Sequence, residues 1–528
     1  MFYADRGIID IHHAMEGSVS EEQVKNTLRK YNLREGLLCL AKESARIFDT
    51  KDKNTLGYAG YHHQGTGTYI TQFSLAYLAN LLIISGTNDY KRALLDNRSN
   101  LTILCNVHSN CIVCPELVEG IGSGMMGINS LMVRMSTEQL EYQFNILNLV
   151  ARNIVLFREL TETIPYEDSV YLSSIFEKET GLNFQEYFFL TMASWAATFK
   201  KGFFRKYWLT GARIPTMASA LTDGKVSSFL TMMACDYTIF RETDEQFNLK
   251  LDPIFTKYRF NPLSIFPILK TSQVEYIIPN TIYFLKKAFG GIFWWFDSYF
   301  NKQGEILKFR RYFGLVFEKY VGLILKGIYG DSNVNPEVVY DGDKKFFDWW
   351  VEKEDKVYLF EAKAYQFPLE TKHTGDRKLI EKELENKIVK TVVQVHQAIL
   401  SVDRFSELSF FKGKNLIPVV ICLNIPFISS SAYKEHIKQK LVEIEVKNPK
   451  LKGISERKIR YLNIDELEDF SSASKQVDLE DAFQQTENVP GEGFRSIYEK
   501  IGVRKGCDYL DAVYEDFWKD LNGIEHSP

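Results

Sequence analysis

The spacing of apolar residues changes character near residue 300. Before that point it is mostly helical, with few stretches alternating at period two. Ser20 followed three residues later by Gln23 makes a capping-box start for a helix through Phe48. Ser136 and Gln139 open another that runs to about Thr161. Further helical windows are Tyr69–Ser85, Phe184–Lys200 and Ser227–Glu242, with turns at Gly86–Asp89 and Thr222–Gly224. No fixed internal period recurs, so a repeat solenoid has no support. Residues 1–300 therefore read as a mostly helical region serving as scaffold, recognition domain or partner platform.

After residue 300 the elements alternate in type. Glu305 to Gly327 carries Phe309, Phe313, Phe317, Tyr320, Val321 and Ile324 at helical spacing, and Gly327 and Gly330 supply its stop. Phe346–Val351 and Val357–Lys363 read as two apolar strands joined by a charged turn, Glu352–Lys356. Asp376 caps a long helix to about Val402, with Leu384, Ile388, Val392, Val395 and Ile399 as its buried stripe. Leu416–Asn424 is a fully apolar strand, Ser431–Lys447 an amphipathic helix and Ile459–Ile464 a last strand-like piece.

Candidate chemistry concentrates on the strand pair. Successive side chains point to opposite faces of a strand, so Glu361 and Lys363 share a face with Ala362 opposite. Asp348 lies among bulky aromatics, where an unpaired carboxylate is costly to bury. A solvated cross-strand ion pair is the ordinary reading of Glu-x-Lys on a strand. These strands are apolar on both faces, which favours a shared purpose for the charges. Asp348 and Glu361 offer hard oxygens to Mg²⁺ or Mn²⁺, and the Ala362 carbonyl is a further oxygen within reach. Lys363 is suited to orienting or helping to deprotonate a metal-bound water, or to neutralising charge on a phosphate.

Asp348 on one strand with Glu361-x-Lys363 on the next resembles the PD-(D/E)xK, or restriction-endonuclease-like, nuclease superfamily over about residues 305–470. The proline that often precedes the aspartate in that family is replaced here by Phe347. The resemblance implies an α-β-β-β-α-β-α core with a central mixed sheet flanked by helices. It also implies that Glu318 on the first core helix reaches the metal site, and that Gln394 on the later helix touches the site or the substrate backbone. His396 on the same helix reads as a boundary residue. The expected organisation is a multidomain α plus α/β chain: a helical region at 1–300, a nuclease domain at 301–470, and a polar linker with a helical extension at 471–528. The implied activity is metal-dependent hydrolysis of phosphodiesters, DNA favoured, in bacterial genome defence or repair. A ribonuclease using the same site, and a non-catalytic nucleic-acid-binding or assembly protein, are the alternatives.

Composition limits the partners. A chain of 528 residues is too long for one core. Its net charge of −4 leaves no bulk basic footprint, so nucleic acid must meet a local patch. Lys308, Arg310 and Arg311, with Arg377 and Lys378, are the clusters suited to phosphate contact. Seven cysteines without regular spacing, and no signal peptide at Met1–Arg6, point to reduced thiols in a cytoplasm. The most apolar window, Tyr276–Phe296, is broken by Pro279, Lys286, Lys287 and Gly290-Gly291, so no membrane span is expected. Cys105, His108, Cys111 and Cys114 are candidate zinc ligands, but their crowding strains a tetrahedral site, and buried thiols are the favoured reading. Gly122–Gly127 satisfies GxGxxG without the strand that a nucleotide loop needs. His62-His63 reads as a polar loop. A homo-oligomer or partner subunit, if present, is assigned to the helical region.

Overall fold

The computed structural model describes residues 21–49, 60–63, 68–88, 101, 105, 146–167, 170–210, 221–249, 259–374, 376–425, 431–487 and 506–522. The chain divides into two compact units: residues 1–124, 138–299 and 514–528 in the first, and 125–137 with 300–513 in the second. The segment expected to stand apart, 471–528, is shared between them.

The first unit is mainly helical, with small sheets that the period-two pattern does not reveal. Phe203–Arg205, Ala234–Cys235, Ile268–Lys270 and Glu275–Ile277 form a four-stranded mixed sheet. Strands of two or three residues are too short to show alternation. Ala234–Cys235 splits the expected Ser227–Glu242 helix into Asp223–Met233 and Tyr237–Asn248. His62-His63 is not a loop. It lies in a strand, Gly60–His63, paired antiparallel with Thr68–Thr71, so the next helix starts at Gln72 instead of Tyr69. Helix Phe184–Lys201 begins with the Asn183–Glu186 capping box, and Phe176, Phe184, Phe188, Phe289 and Phe296 make an aromatic core. Arg259 ties Glu21 and Asp244 together, at 2.8 and 2.5 Å. Among the described residues, no helix is long and apolar enough to cross a membrane. The start at Ser136, the GxGxxG segment and His108, Cys111 and Cys114 lie outside the described residues.

The second unit follows the expected alternation, with one strand more than those read by residue. Helix α1 (Ile306–Tyr329) runs through Gly327 and is stopped by Gly330, whose φ of 87° suits glycine. Strands β1 (Val334–Tyr340), β2 (Lys344–Lys353) and β3 (Lys356–Gln366) follow in antiparallel order. Asp376 caps α2 (Arg377–Leu384), accepting from the Leu379 amide at 2.9 Å. A π-turn at Glu385–Val389 joins α2 to α3 (Lys390–Ser401). Strand β4 (Asn415–Asn424) lies parallel to β3, helix α4 (Ser431–Lys447) crosses back, and β5 (Arg460–Asn463) lies parallel to β4. The sheet order is β5-β4-β3-β2-β1.

Residues 471–487, expected to be part of a loose linker, are largely helical, and Pro490–Gly493 lie outside the described residues. Helix α5 (Ile464–Ala473) is fixed by an Asn463–Glu466 capping box. It leads to α6 (Leu479–Glu487), which buries Leu479, Ala482 and Phe483 and pairs Glu480 with Arg460 at 2.5 Å. Asp481 and Gln484 are exposed, and the polar composition hid the apolar stripe.

The sheet faces differ. Val357 and Leu359 of β3 pack with Ile388, Val392 and Val395 on the α2–α3 side. Tyr358 and Phe360 face α1, where the Tyr329 ring lies 6.3 and 6.2 Å from theirs. Trp349 points to the α1 side and donates its indole N–H to the Glu318 carbonyl at 2.9 Å. Gly322 makes that approach possible, because a Cβ there would lie 2.3 Å from the Trp349 ring. Gly→Ala inside a helix ordinarily stabilises by up to about 1 kcal/mol. Here the clash reverses the sign: Gly322→Ala should lower stability by about 1–3 kcal/mol in urea titrations, as overpacking does.

Candidate active site

The β2–β3 ladder closes with Trp349 opposite Phe360. Asp348 and Glu361 are the next residue on each strand. Both belong to the α2–α3 face: Trp350, two residues from Asp348, packs on that core, and Glu361 and Lys363 continue the alternation begun by Val357 and Leu359. Strand alternation thus places both carboxylates on one side of neighbouring strands.

Asp348 Oδ2 accepts from the Ala362 backbone N–H at 2.7 Å. In a hydrogen-bonded antiparallel position the N–H and C=O of one residue face the same neighbouring strand. The Ala362 carbonyl therefore faces the side where the ladder has ended. Glu361 is 4 % exposed, and its Oε1 accepts from Lys363 Nζ at 2.6 Å and Gln394 Nε2 at 2.8 Å. Gln394 reaches in from the exposed side of α3, while Gln397 stays exposed and His396 is buried, its Nδ1 accepting from Arg457 Nε at 3.3 Å. The two charge-assisted bonds to Glu361, each worth about 1.5–3 kcal/mol, offset much of the cost of a buried carboxylate.

The charges act on one another. Burial pushes the Asp348 carboxyl well above its usual range; the Glu361 charge and the more distant Glu318 charge add to this, while Lys363 opposes it. Burial works against the Lys363 ammonium, but its contact with Glu361 and the Asp348 charge outweigh that and raise its pKa. Lys363 is thus a held cation. Glu318 stands on α1, across the sheet, with Lys319 Nζ at 3.4 Å from its Oε1. It makes no hydrogen bond to Asp348 or Glu361 and joins the site through charge alone.

The basic candidates separate. Arg310 lies close enough to Lys387 to lower that lysine's pKa, which burial already depresses and Glu383 supports. Lys387 itself donates to the Gln366 carbonyl at the end of β3. Lys308 and Arg311 lie on the same opening turns of α1 as Arg310. Arg377 pairs with Glu381 at 2.5 Å, and exposed Lys378 follows it on the first turn of α2. Lys345, absent from the basic clusters that the sequence marks, is exposed beside the site; Glu337 at 2.8 Å raises its pKa first, with Glu318 and Asp348 contributing. Its only sequence signal is the Lys344-Lys345 pair just before Asp348. Of the four zinc candidates, only Cys105 lies among the described residues; it is buried, and burial raises its thiol far above the usual range.

Among the described residues no group of three or more His, Cys, Asp or Glu side chains is arranged as a metal cage. Asp348, Glu361 and the Ala362 carbonyl are instead a sparse hard-oxygen set, which fits Mg²⁺ or Mn²⁺ because such ions keep several waters. No protein-family model, no curated protein and no solved structure matches this chain.

The Asp348 carboxyl has a stability consequence. Its folded pKa lies above the unfolded one, so the native state keeps a proton that the unfolded chain gives up. Stability falls as pH rises from the ordinary carboxylate value through the folded one, and the penalty is complete above both. Asp348→Asn keeps an acceptor for the Ala362 amide and removes the charge. In EDTA it should therefore be more stable than the wild type by about 1–3 kcal/mol at pH 8, the gap closing near pH 4 in thermal melts.

Proposed function

We propose that residues 300–513 form a metal-dependent nuclease that hydrolyses phosphodiester bonds, DNA being the favoured substrate. The main support is that Asp348 accepts from the Ala362 amide, next to Glu361 in β3, with Lys363 and Gln394 both fastened to Glu361 Oε1. The resemblance of Asp348, Glu361 and Lys363 to the PD-(D/E)xK pattern adds to it, as does the helix and strand order around them. Asp348, Glu361 and the Ala362 carbonyl would hold Mg²⁺ or Mn²⁺, which supplies Lewis-acid activation of water and neutralises phosphate charge.

The chain's own residues have distinct tasks in this scheme. Lys363, kept cationic by its neighbours, offers positive charge where a phosphate gathers negative charge and is poorly suited to be the general base. Gln394 fixes the rotamer of Glu361. Glu318 deepens the negative potential that draws a cation. Lys345, which senses the Asp348 charge, and Lys387 with Arg310 near the end of β3 are candidates for backbone contact. Genome defence or repair is the setting that suits such a domain beside a large helical unit, which is the natural place for a partner subunit or self-association.

Purified protein should cut duplex or single-stranded DNA with Mg²⁺ or Mn²⁺ and not with EDTA. Asp348→Ala and Lys363→Ala should each lower the rate by roughly 100-fold or more. Preferred cleavage of RNA would reassign the substrate while keeping the site. Cleavage that survives both substitutions, or none on any nucleic acid tested, would overturn the proposal.

A further inference from the structure

Among the described residues three non-glycines have positive φ: Asp341 at 50°, Phe347 at 47° and Glu354 at 57°. Asp341 and Glu354 lie in the turns on either side of β2, where reversing the chain calls for this conformation. Phe347 lies inside the strand, where no turn requires it.

The pairing with both neighbours shows what happens there. Along β1 and β2, Pro336 pairs with Trp349 but Val338 pairs with Phe346, so Phe347 and Asp348 together oppose Glu337. That is a β-bulge, and its left-handed position is one that glycine commonly fills. Here a phenylalanine fills it, 3 % exposed, with its ring 5.1 Å from that of Phe346. Both rings enter the same apolar cluster, which strict alternation forbids. On the other edge an unbroken ladder would send the Ala362 N–H to the backbone carbonyl of residue 347. Instead it goes to Asp348 Oδ2.

We propose that the left-handed backbone of Phe347 aims the Asp348 carboxylate at the Ala362 amide and into register with Glu361, which makes Phe347 a positioning residue of the site. The aim of Asp348 stands on the strand pairing alone; its importance for catalysis rests on the metal-site reading above. The ring anchors the bulge from inside the core, so the strained backbone is held in place by packing.

The test uses the full chain with Phe347→Gly, Phe347→Asn, Phe347→Leu and Phe347→Ile. Two readouts are taken: hydrogen exchange at the Ala362 amide without metal, and Mn²⁺ binding by calorimetry. Gly and Asn tolerate positive φ, Leu does so less well, and β-branched Ile is the worst suited. Positioning predicts that Gly and Asn keep Ala362 protection within about threefold, whereas Ile loses about tenfold or more. Mn²⁺ affinity should follow the same order, even where loss of the ring lowers the melting temperature. Leu and Ile have equal volume, so a purely packing role would move them together and damage Gly most, and that result would overturn the proposal. So would unchanged protection in all four. If protection follows the predicted order but wild-type protein takes up no Mn²⁺, the metal reading falls and the aiming role of Phe347 stands.

Discussion

The bond from the Ala362 amide to Asp348 Oδ2 does two things at once for the central sheet. It satisfies a strand N–H that the bulge in β2 has deprived of its backbone partner. It also fixes a carboxylate on the same face as Glu361, beside a row of apolar side chains that ends there. Had the ladder simply continued, Asp348 would be a side chain with no appointed place and Ala362 would offer no carbonyl to the open edge.

Around that bond the charges are balanced but not cancelled. Lys363 pairs with Glu361 at close range, and Gln394 adds a neutral donor to the same oxygen. Asp348 has one amide donor and two other carboxylates within electrostatic reach. The site is therefore short of positive charge, and its carboxyl holds a proton more readily than usual. A hard cation would relieve that imbalance.

Helix α1 links the two faces of the sheet. Its Gly322 admits the Trp349 ring, the Trp349 indole holds the Glu318 carbonyl, and the Glu318 side chain adds its charge to Asp348. The residue after the candidate metal ligand thus docks the helix that carries the third acid. In the first unit the buried polar groups are of another kind. Arg259 with Glu21 and Asp244, and Ser44 with Gln72 and Asn280, bind separated segments to one another.

Much of the second unit could be read from residue order. Helical spacing marked α1, α3 and α4, apolar runs marked β2, β3 and β4, and alternation alone put Glu361 and Lys363 on one face. These are local properties, set by the periods of helix and strand. The short strands of the first unit escaped because two or three residues carry no period, and α6 escaped because its acids masked a narrow apolar stripe. The bulge at Phe347, the turn of Asp348 toward Ala362 and the electrostatic reach of Glu318 belonged to the tertiary structure alone. Each depends on which strand lies alongside and which helix covers it, and no spacing along one chain encodes a partner dozens of residues away.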